Sequence, residues 1–401
     1  MELKQILEAK ERLIGVTHNH LPLEYSNYFS ACSGAQIYLK CENRQKTGSF
    51  KVRGAYNKIV NLTKERKVET VIAASAGNHA QGVAFAATEV GVKSIIVMPR
   101  SAPLAKISAT KGYGAEVVLH GEFFDDAYSH AKELEQQTNA VFIEAYNDID
   151  IIAGQGTIGV EIINDMKDVD IVVVPTGGGG LLAGVSKAIK SLNPRVHVIG
   201  VQAEKANALV RSFASKTLSP LADISTIADG IAIKKPGSIP FEIIKENVDE
   251  MVTVTDDEIA SVMIELLERT KQVVEPSGAS ALAAIHHHKI DVKGKKVVSI
   301  LTGGNIDVAF IHKIIERGLL KRGRQLPLTI LMHVIPGSLE KISGIIAKTH
   351  ASIIDVRFDR TSTQLPLNHI YLHLTCETTG HEHGDLVISE LEKNGFKNIT
   401  Q

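Results

Sequence analysis

The sequence predicts an α/β protein of mainly parallel sheets, followed by a smaller module with a different strand and helix order. Three observations lead there. Short β-branched runs alternate with helical stretches from Val68 to about Arg317, several of those runs are apolar throughout, and the rhythm changes beyond Pro327. Continuously apolar strands are what a sheet covered by helices on both faces requires. The candidates include Val68–Ala74, Val92–Met98, Ala115–His120, Val141–Ala145, Ile171–Val174, Val196–Val201 and Lys296–Leu301. Helices fit between them, as at His79–Val90, Pro103–Lys111 and Leu181–Leu192.

The basic, glycine-containing stretch from Arg317 to Pro327 reads as a linker. After it Leu328, Ile330, Met332 and Val334 alternate with other residues, and Pro336-Gly337 turns the chain. Ser338 is placed to cap a helix whose apolar face is Leu339, Ile342, Ile345 and Ile346. Alternating strands follow around Ile354/Val356/Phe358 and Ile370/Leu372/Leu374. A last helix with Val387 and Leu391 stops at Gly395, and a short strand is expected at residues 396–400. The order β-α-β-β-α suggests a small ferredoxin-like module, separate from the first 320 or so residues and regulatory or oligomeric in role.

A chain of 401 residues suits two or three domains, and 44% hydrophobic with 22% charged residues can bury a large soluble core. Lys plus Arg total 44 against 45 for Asp plus Glu, which leaves no basic footprint for nucleic acid. Cys32, Cys41 and Cys376 are too few and too scattered for a disulfide framework or a zinc site. The N-terminal MELKQILEAKERL is amphipathic with both charge signs, unlike a signal peptide, and no apolar run approaches membrane-spanning length. A cytoplasmic protein without membrane or nucleic-acid partners is expected.

Four segments carry candidate chemistry. In Lys46-Thr47-Gly48-Ser49-Phe50-Lys51-Val52-Arg53-Gly54-Ala55, Lys51 follows an aromatic residue and lies between two glycines. Most lysines are solvated surface charges. One desolvated near cations such as Lys46 or Arg53 becomes a usable amine. Ser75-Ala76-Gly77-Asn78-His79 falls where a strand ends and a helix begins, so its backbone amides suit a carboxylate or phosphate; Asn78 alone would read as a helix cap. Thr176-Gly177-Gly178-Gly179-Gly180-Leu181 also joins strand to helix, and its successive amides can line one anion-binding concavity. It matches neither the P-loop nor the dinucleotide spacing. Thr302-Gly303-Gly304-Asn305 ends a buried strand, where ligands of α/β sheets collect. The runs His286-His287-His288, in a helical stretch, and His381-Glu382-His383, in an expected loop, are set aside as metal sites.

Together these four motifs, in this order, closely resemble the threonine dehydratases (threonine ammonia-lyases), members of the fold-type II, tryptophan-synthase-β-like pyridoxal-phosphate enzymes. The resemblance implies a two-lobed catalytic core over 1–320, with a smaller lobe of about 50–150 and a larger one from 1–49 and 151–320. The tail, 326–401, resembles an ACT effector-binding domain. Carried over by motif, Lys51 would hold pyridoxal 5′-phosphate covalently, and then remove the substrate's α-proton once freed. Phe50 would pack near the ring, and Asn78 would bond its 3′-hydroxyl. Gly177, Gly178, Gly179, Gly180 and Leu181 would hold the phosphate, and Thr302 would sit at the pyridine nitrogen. Ser75, Ala76, Gly77, Asn78 and His79 would receive the substrate carboxylate, while Glu275 and Gly230 match positions lining the cofactor. No metal is implied.

The implied reaction is deamination of L-threonine to 2-oxobutanoate and ammonia, with L-serine to pyruvate beside it, as a first step of isoleucine biosynthesis. Isoleucine or valine would act as effector near Pro336-Gly337-Ser338-Leu339, in a dimer or tetramer. The nearest alternative is serine racemase, whose pattern has a proton-carrying serine where this chain has Ala76. That pattern also places acidic metal ligands where this chain has Gln202-Ala203-Glu204 and Ala208. A cysteine-synthase-like enzyme and a non-catalytic amino-acid sensor are the remaining alternatives.

Overall fold

The computed structural model describes residues 1–399 other than 19, 334, 363 and 364. The chain folds into two compact units, Met1–Asp307 and Val308–Gln401. Among the described residues, no helix is long and apolar enough to cross a membrane.

The first unit holds strands β1 (Leu23–Tyr25), β2 (Gln36–Cys41), β3 (Thr70–Ala74), β4 (Lys93–Met98), β5 (Glu116–Leu119), β6 (Val141–Phe142), β7 (Ile171–Pro175), β8 (His197–Ala203), β9 (Glu250–Val254) and β10 (Lys296–Leu301). They form a four-stranded parallel sheet, β5-β4-β3-β6, and a six-stranded sheet, β1-β2-β10-β7-β8-β9, parallel except for β1 against β2. The α/β reading therefore holds. The expected strand Val141–Ala145 pairs only at Val141 and Phe142, so Ala145 stands beyond the ladder. Strand β2 escapes sequence inspection because Lys40 interrupts its apolar run, yet Lys40 is fully buried. Its ammonium lies 2.6 Å from Glu161.

That pair belongs to a larger ionic cluster. Arg53 donates to Glu42 (2.7 and 2.8 Å) and to Glu161 (2.5 and 3.0 Å), and all four charged side chains are buried. Burial alone would push Glu161 upward, but Arg53 and Lys40 hold its carboxyl below the usual range. The cluster ties β2, the helix Lys51–Glu65 and the helix Ile149–Asp165 together.

Glycines decide how closely the helices approach. A methyl group on Gly154 would lie 2.6 Å from the Arg53 carbonyl and the Gly54 Cα, and one on Gly156 would lie 2.8 Å from the Gly184 carbonyl. The helix Ile149–Asp165 thus touches backbone on two neighbours, Lys51–Glu65 and Gly180–Leu192. Those neighbours begin at Lys51 and at the glycine loop. Close packing of three helices (a choice of glycine over larger residues) therefore sets the spacing of two sequence motifs.

The second unit begins with the helix Val308–Lys321 and continues through β11 (Gln325–His333), the helix Ser338–Lys348, β12 (Ser352–Asp359), β13 (His369–Glu377) and the helix His381–Lys393. Its sheet is antiparallel with order β11-β13-β12. The β-α-β-β-α order is as expected, but the expected linker is mostly structured. Its first half continues a helix to Lys321, and β11 starts at Gln325 after a turn at Gly323 (φ +63°). The first unit ends at Asp307, before the expected end of the core at 320. Gly337 (φ +88°), rather than Ser338, is the N-cap residue. Ile342, Ile345 and Ile346 are buried, whereas Leu339 is exposed. Val334 and residue 400, within the expected strands, lie outside the described residues; Asn398 forms an isolated bridge to Ile330, and its side chain accepts from the Thr329 N–H at 3.1 Å.

Candidate active site

The site is built where strands end and helices begin. Lys51 opens the helix Lys51–Glu65; the turn Ser75–His79 follows β3, the glycine loop follows β7, and Thr302 follows β10. The Phe50 N–H donates to the Thr302 carbonyl at 3.1 Å and the Gly304 N–H to the Gly48 carbonyl at 2.9 Å, so the first and fourth motifs are stitched together. Thr302 itself is buried. Asn78 bridges to the fourth motif as well, accepting from Asn305 Nδ2 at 2.8 Å and donating to Glu275 Oε1 at 2.7 Å. Asn78 is thus no helix cap: Gly77 holds that position.

The Lys51 amine lies in a desolvated pocket, donating to the Ala145 carbonyl at 3.2 Å and standing 5.3 Å from the centre of the Phe50 ring. Burial lowers its pKa from 10.5 to about 8, with Glu275 pulling the other way. The expected cation neighbours do not cause this. Arg53 is two helical residues further on, so its side chain leaves on another face and is engaged by Glu42 and Glu161. Lys46 instead lies over the Phe85 ring.

His79 is buried and held down to about 3, first by burial and then by the charge of Lys51. Its Nε2 is 2.9 Å from the Ile143 carbonyl, which can only accept, so His79 is neutral with Nε2–H as donor, and its lowered pKa makes it a weak base. Glu275 is pushed up to about 8 by burial and then by Asp229, despite the Asn78 hydrogen bond. Asp229 is held 2.7 Å from Lys106. Gly230 borders this group, since a methyl there would lie 2.9 Å from Ser277 Oγ.

The glycine loop is a backbone cradle. A methyl on Gly178 would lie 2.5 Å from the Tyr146 ring, one on Gly177 would lie 3.0 Å from the Ile231 Cα, and Gly179 has φ +101°. Among the described residues, the amides of Gly177, Gly178, Gly179, Gly180 and Leu181 donate to no protein group. Five free donors at a helix start suit an anion. A phosphate there and an aldehyde at Lys51 fit the residues present. The Gln202 amide secures the loop by donating to the Gly177 carbonyl at 3.4 Å and accepting from the Val210 N–H at 2.9 Å.

A family model for pyridoxal-phosphate dependent enzymes matches residues 16–303. The chain belongs to the pyridoxal-phosphate dependent enzymes. It is 47% identical over 395 residues to an L-threonine ammonia-lyase of Thermotoga maritima, covering 98% of each chain. Among solved structures, the processed form of threonine deaminase isoform 2 from Solanum lycopersicum is similar with TM-score 0.75 and 37% identity, over 79% of this chain and 88% of that one. Maize serine racemase is similar with TM-score 0.74 and 32% identity, over 80% and 98%.

Within this pyridoxal-phosphate enzyme the structure brings Phe50, Lys51, Asn78 and Thr302 together with Glu275. Three contributors had no assigned role in the sequence: Tyr146, whose ring covers Gly178; Ala145, whose carbonyl holds the amine; and Asn305. Only Asn305 sat in a recognised motif. The other two lie in a loop whose composition signals nothing. Three of the set-aside histidines have protein partners. His286 faces Glu265 at 3.3 Å and the Tyr28 ring. His381 and His383, expected in a loop, open the last helix and contact the Lys321 and Thr349 carbonyls.

Gly303 tests the convergence. A methyl there would lie 2.5 Å from Glu275 Oε1 and 2.9 Å from Asn78 Nδ2. Gly303→Ala is expected to weaken pyridoxal-phosphate binding by about tenfold or more through loss of that hydrogen bond. Titration of the apoenzyme reads this directly, and unchanged affinity would contradict the crowding.

Proposed function

We propose that this enzyme removes water and ammonia from L-threonine to give 2-oxobutanoate, and acts on L-serine more weakly to give pyruvate. The observation that carries this is the desolvated amine of the half-buried Lys51, set among two helix starts with unpaired amides and a buried hydroxyl at Thr302. The 47% identity to an L-threonine ammonia-lyase supports the substrate.

Gly177–Leu181 would hold the cofactor phosphate, Lys51 its aldehyde carbon, Asn78 its ring hydroxyl and Thr302 its ring nitrogen. When bound, pyridoxal phosphate supplies the electron sink for charge developing at the substrate's α-carbon. The chain's own groups do the rest. The amides at the start of the helix Asn78–Val90 receive the substrate carboxylate, where the helix dipole favours negative charge. Neutral His79 contributes orientation without a competing charge. Lys51 Nζ takes the α-proton, which its lowered pKa permits near neutral pH. The β-hydroxyl then leaves as water, and the released unsaturated amine hydrolyses to the 2-oxo acid and ammonia.

The racemase reading is supported by the fold likeness but not by Ala76, which carries no proton to return to the opposite face. D-serine formation from L-serine is expected to run at least about a hundredfold slower than elimination. Chiral chromatography alongside the 2-oxo acid assay checks this. Comparable rates would favour the racemase.

The second unit we read as an ACT-type effector module that inhibits in response to isoleucine or valine. Its β-α-β-β-α order supports this, as do the exposed Ile335 and Leu339 beside the left-handed Gly337. Edge strand β12 exposes Ile354, Val356 and Phe358, an apolar row that supports a homo-oligomer. Isoleucine is expected to lower threonine turnover and shift the melting temperature; no effect of either branched-chain amino acid removes the regulatory reading. Three free cysteines support a cytoplasmic, reducing location.

A further inference from the structure

We propose that Asn305 and Glu275 are positioning residues that fix the direction of the Asn78 amide, so that one Asn78 N–H is held ready for an acceptor oxygen on the cofactor. This rests on the proposed placement of Asn78 at the cofactor. The direction is imposed from one end. Asn305 Nδ2 is 2.7 Å from the Thr47 carbonyl and 2.8 Å from Asn78 Oδ1. A backbone carbonyl only accepts, so the Asn305 atom beside it is the NH2 group. The second hydrogen of that group goes to Asn78, which must therefore present its oxygen to Asn305 and its nitrogen to Glu275.

Glu275 alone cannot impose this. It is 5% exposed and its carboxyl is pushed up to about 8, first by burial and then by Asp229, against the pull of Lys106 and Lys51. A neutral carboxylic acid both donates and accepts, so it would tolerate either direction of the Asn78 amide. The Thr47 carbonyl breaks that symmetry through Asn305. An amide nitrogen has two hydrogens. One Asn78 hydrogen goes to Glu275, and the other is the donor left for a ligand.

The test is titration of apoenzyme with pyridoxal phosphate, read as a dissociation constant and as the position of the visible absorption band. Asp is the same shape as Asn, so a packing role for Asn305 makes Asn305→Asp milder than Asn305→Ala. The proposal requires the reverse order. The carboxylate introduced by Asn305→Asp cannot donate to the Thr47 carbonyl or to Asn78, so the Asn78 amide turns round and offers oxygen where it offered N–H. Asn305→Asp is expected to weaken binding by at least about tenfold and shift the band, with Asn305→Ala in between. Glu275→Gln keeps an acceptor and should bind more tightly than Glu275→Leu. Apoenzyme melting temperatures, measured in parallel, separate these effects from loss of fold. If Asn305→Asp binds better than Asn305→Ala while Asn78→Ala binds weakly, Asn305 does not set the direction of the Asn78 amide. If Asn78→Ala binds as the parent does, the placement of Asn78 at the cofactor fails, and this inference with it.

Discussion

Replacing Lys51 with alanine is expected to lower kcat/KM for L-threonine by about 10⁴-fold or more, while the apoenzyme keeps its fold. In the proposed mechanism the residue combines two tasks that no neighbour can take over. Among the described residues the other nitrogen bases near it are compromised: His79 is held neutral with its Nε2–H committed to Ile143, and Arg53 is locked to two carboxylates. Lys51→Arg should be nearly as inactive, because a guanidinium stays protonated. The wild-type amine carries its own pH signature. With its pKa lowered from 10.5 to about 8, the protonated form dominates below that value and the neutral form above it. At pH 7 about a tenth of the amine is neutral, against less than about a thousandth for an ordinary lysine. Capture of pyridoxal phosphate by apoenzyme should therefore accelerate roughly tenfold between about pH 7 and 9. Stopped-flow absorbance measures it. A flat profile, or a rise of about a hundredfold over that range that continues to about pH 10 without levelling off, would mean the amine is not desolvated as the structure has it.

Arg53→Ala is expected to destabilise the enzyme by about 3–5 kcal/mol. Among the described residues, Glu42 and Glu161 would then share a buried pocket with only Lys40 as counter-charge, and the lost guanidinium would leave a cavity. Chemical denaturation followed by far-ultraviolet circular dichroism checks the loss. Because the cluster joins the Lys51 helix to β2 and to the helix Ile149–Asp165, cofactor affinity should fall along with stability. A loss under about 1 kcal/mol, the value of an exposed ion pair, would mean that water reaches the cluster.

Much of the site was legible in the sequence, for a physical reason. A phosphate cradle made of backbone needs glycines at consecutive positions, and such a run between an apolar strand and a helix can be recognised without coordinates. The same holds for the Ser75–His79 turn and for Thr302 at a strand end. Lys51 was legible only through company, since one lysine in a glycine-flanked segment has many innocent explanations. The cause assigned to its reactivity was not legible. Lys46 and Arg53 are neighbours in sequence, but a helix sends adjacent side chains to different faces, and burial does the work instead. Strand β2 was missed because a charged residue in a buried strand violates the apolar pattern unless its partner, 121 residues away in sequence, is known.

By itself the sequence determined the α/β class, the order of the four motifs, the hydroxyl at Thr302 and the absence of a proton carrier at Ala76. These are properties of residue type and local spacing, which a chain carries whether folded or not. The tertiary structure alone decided how far the Lys51 amine is desolvated, which partners hold Arg53 and Lys40, and that Tyr146 covers the glycine loop. It also decided the direction of the Asn78 amide through Thr47, Asn305 and Glu275. Such effects depend on groups far apart in sequence meeting at hydrogen-bond distance in a medium of low polarity. No local pattern encodes that meeting.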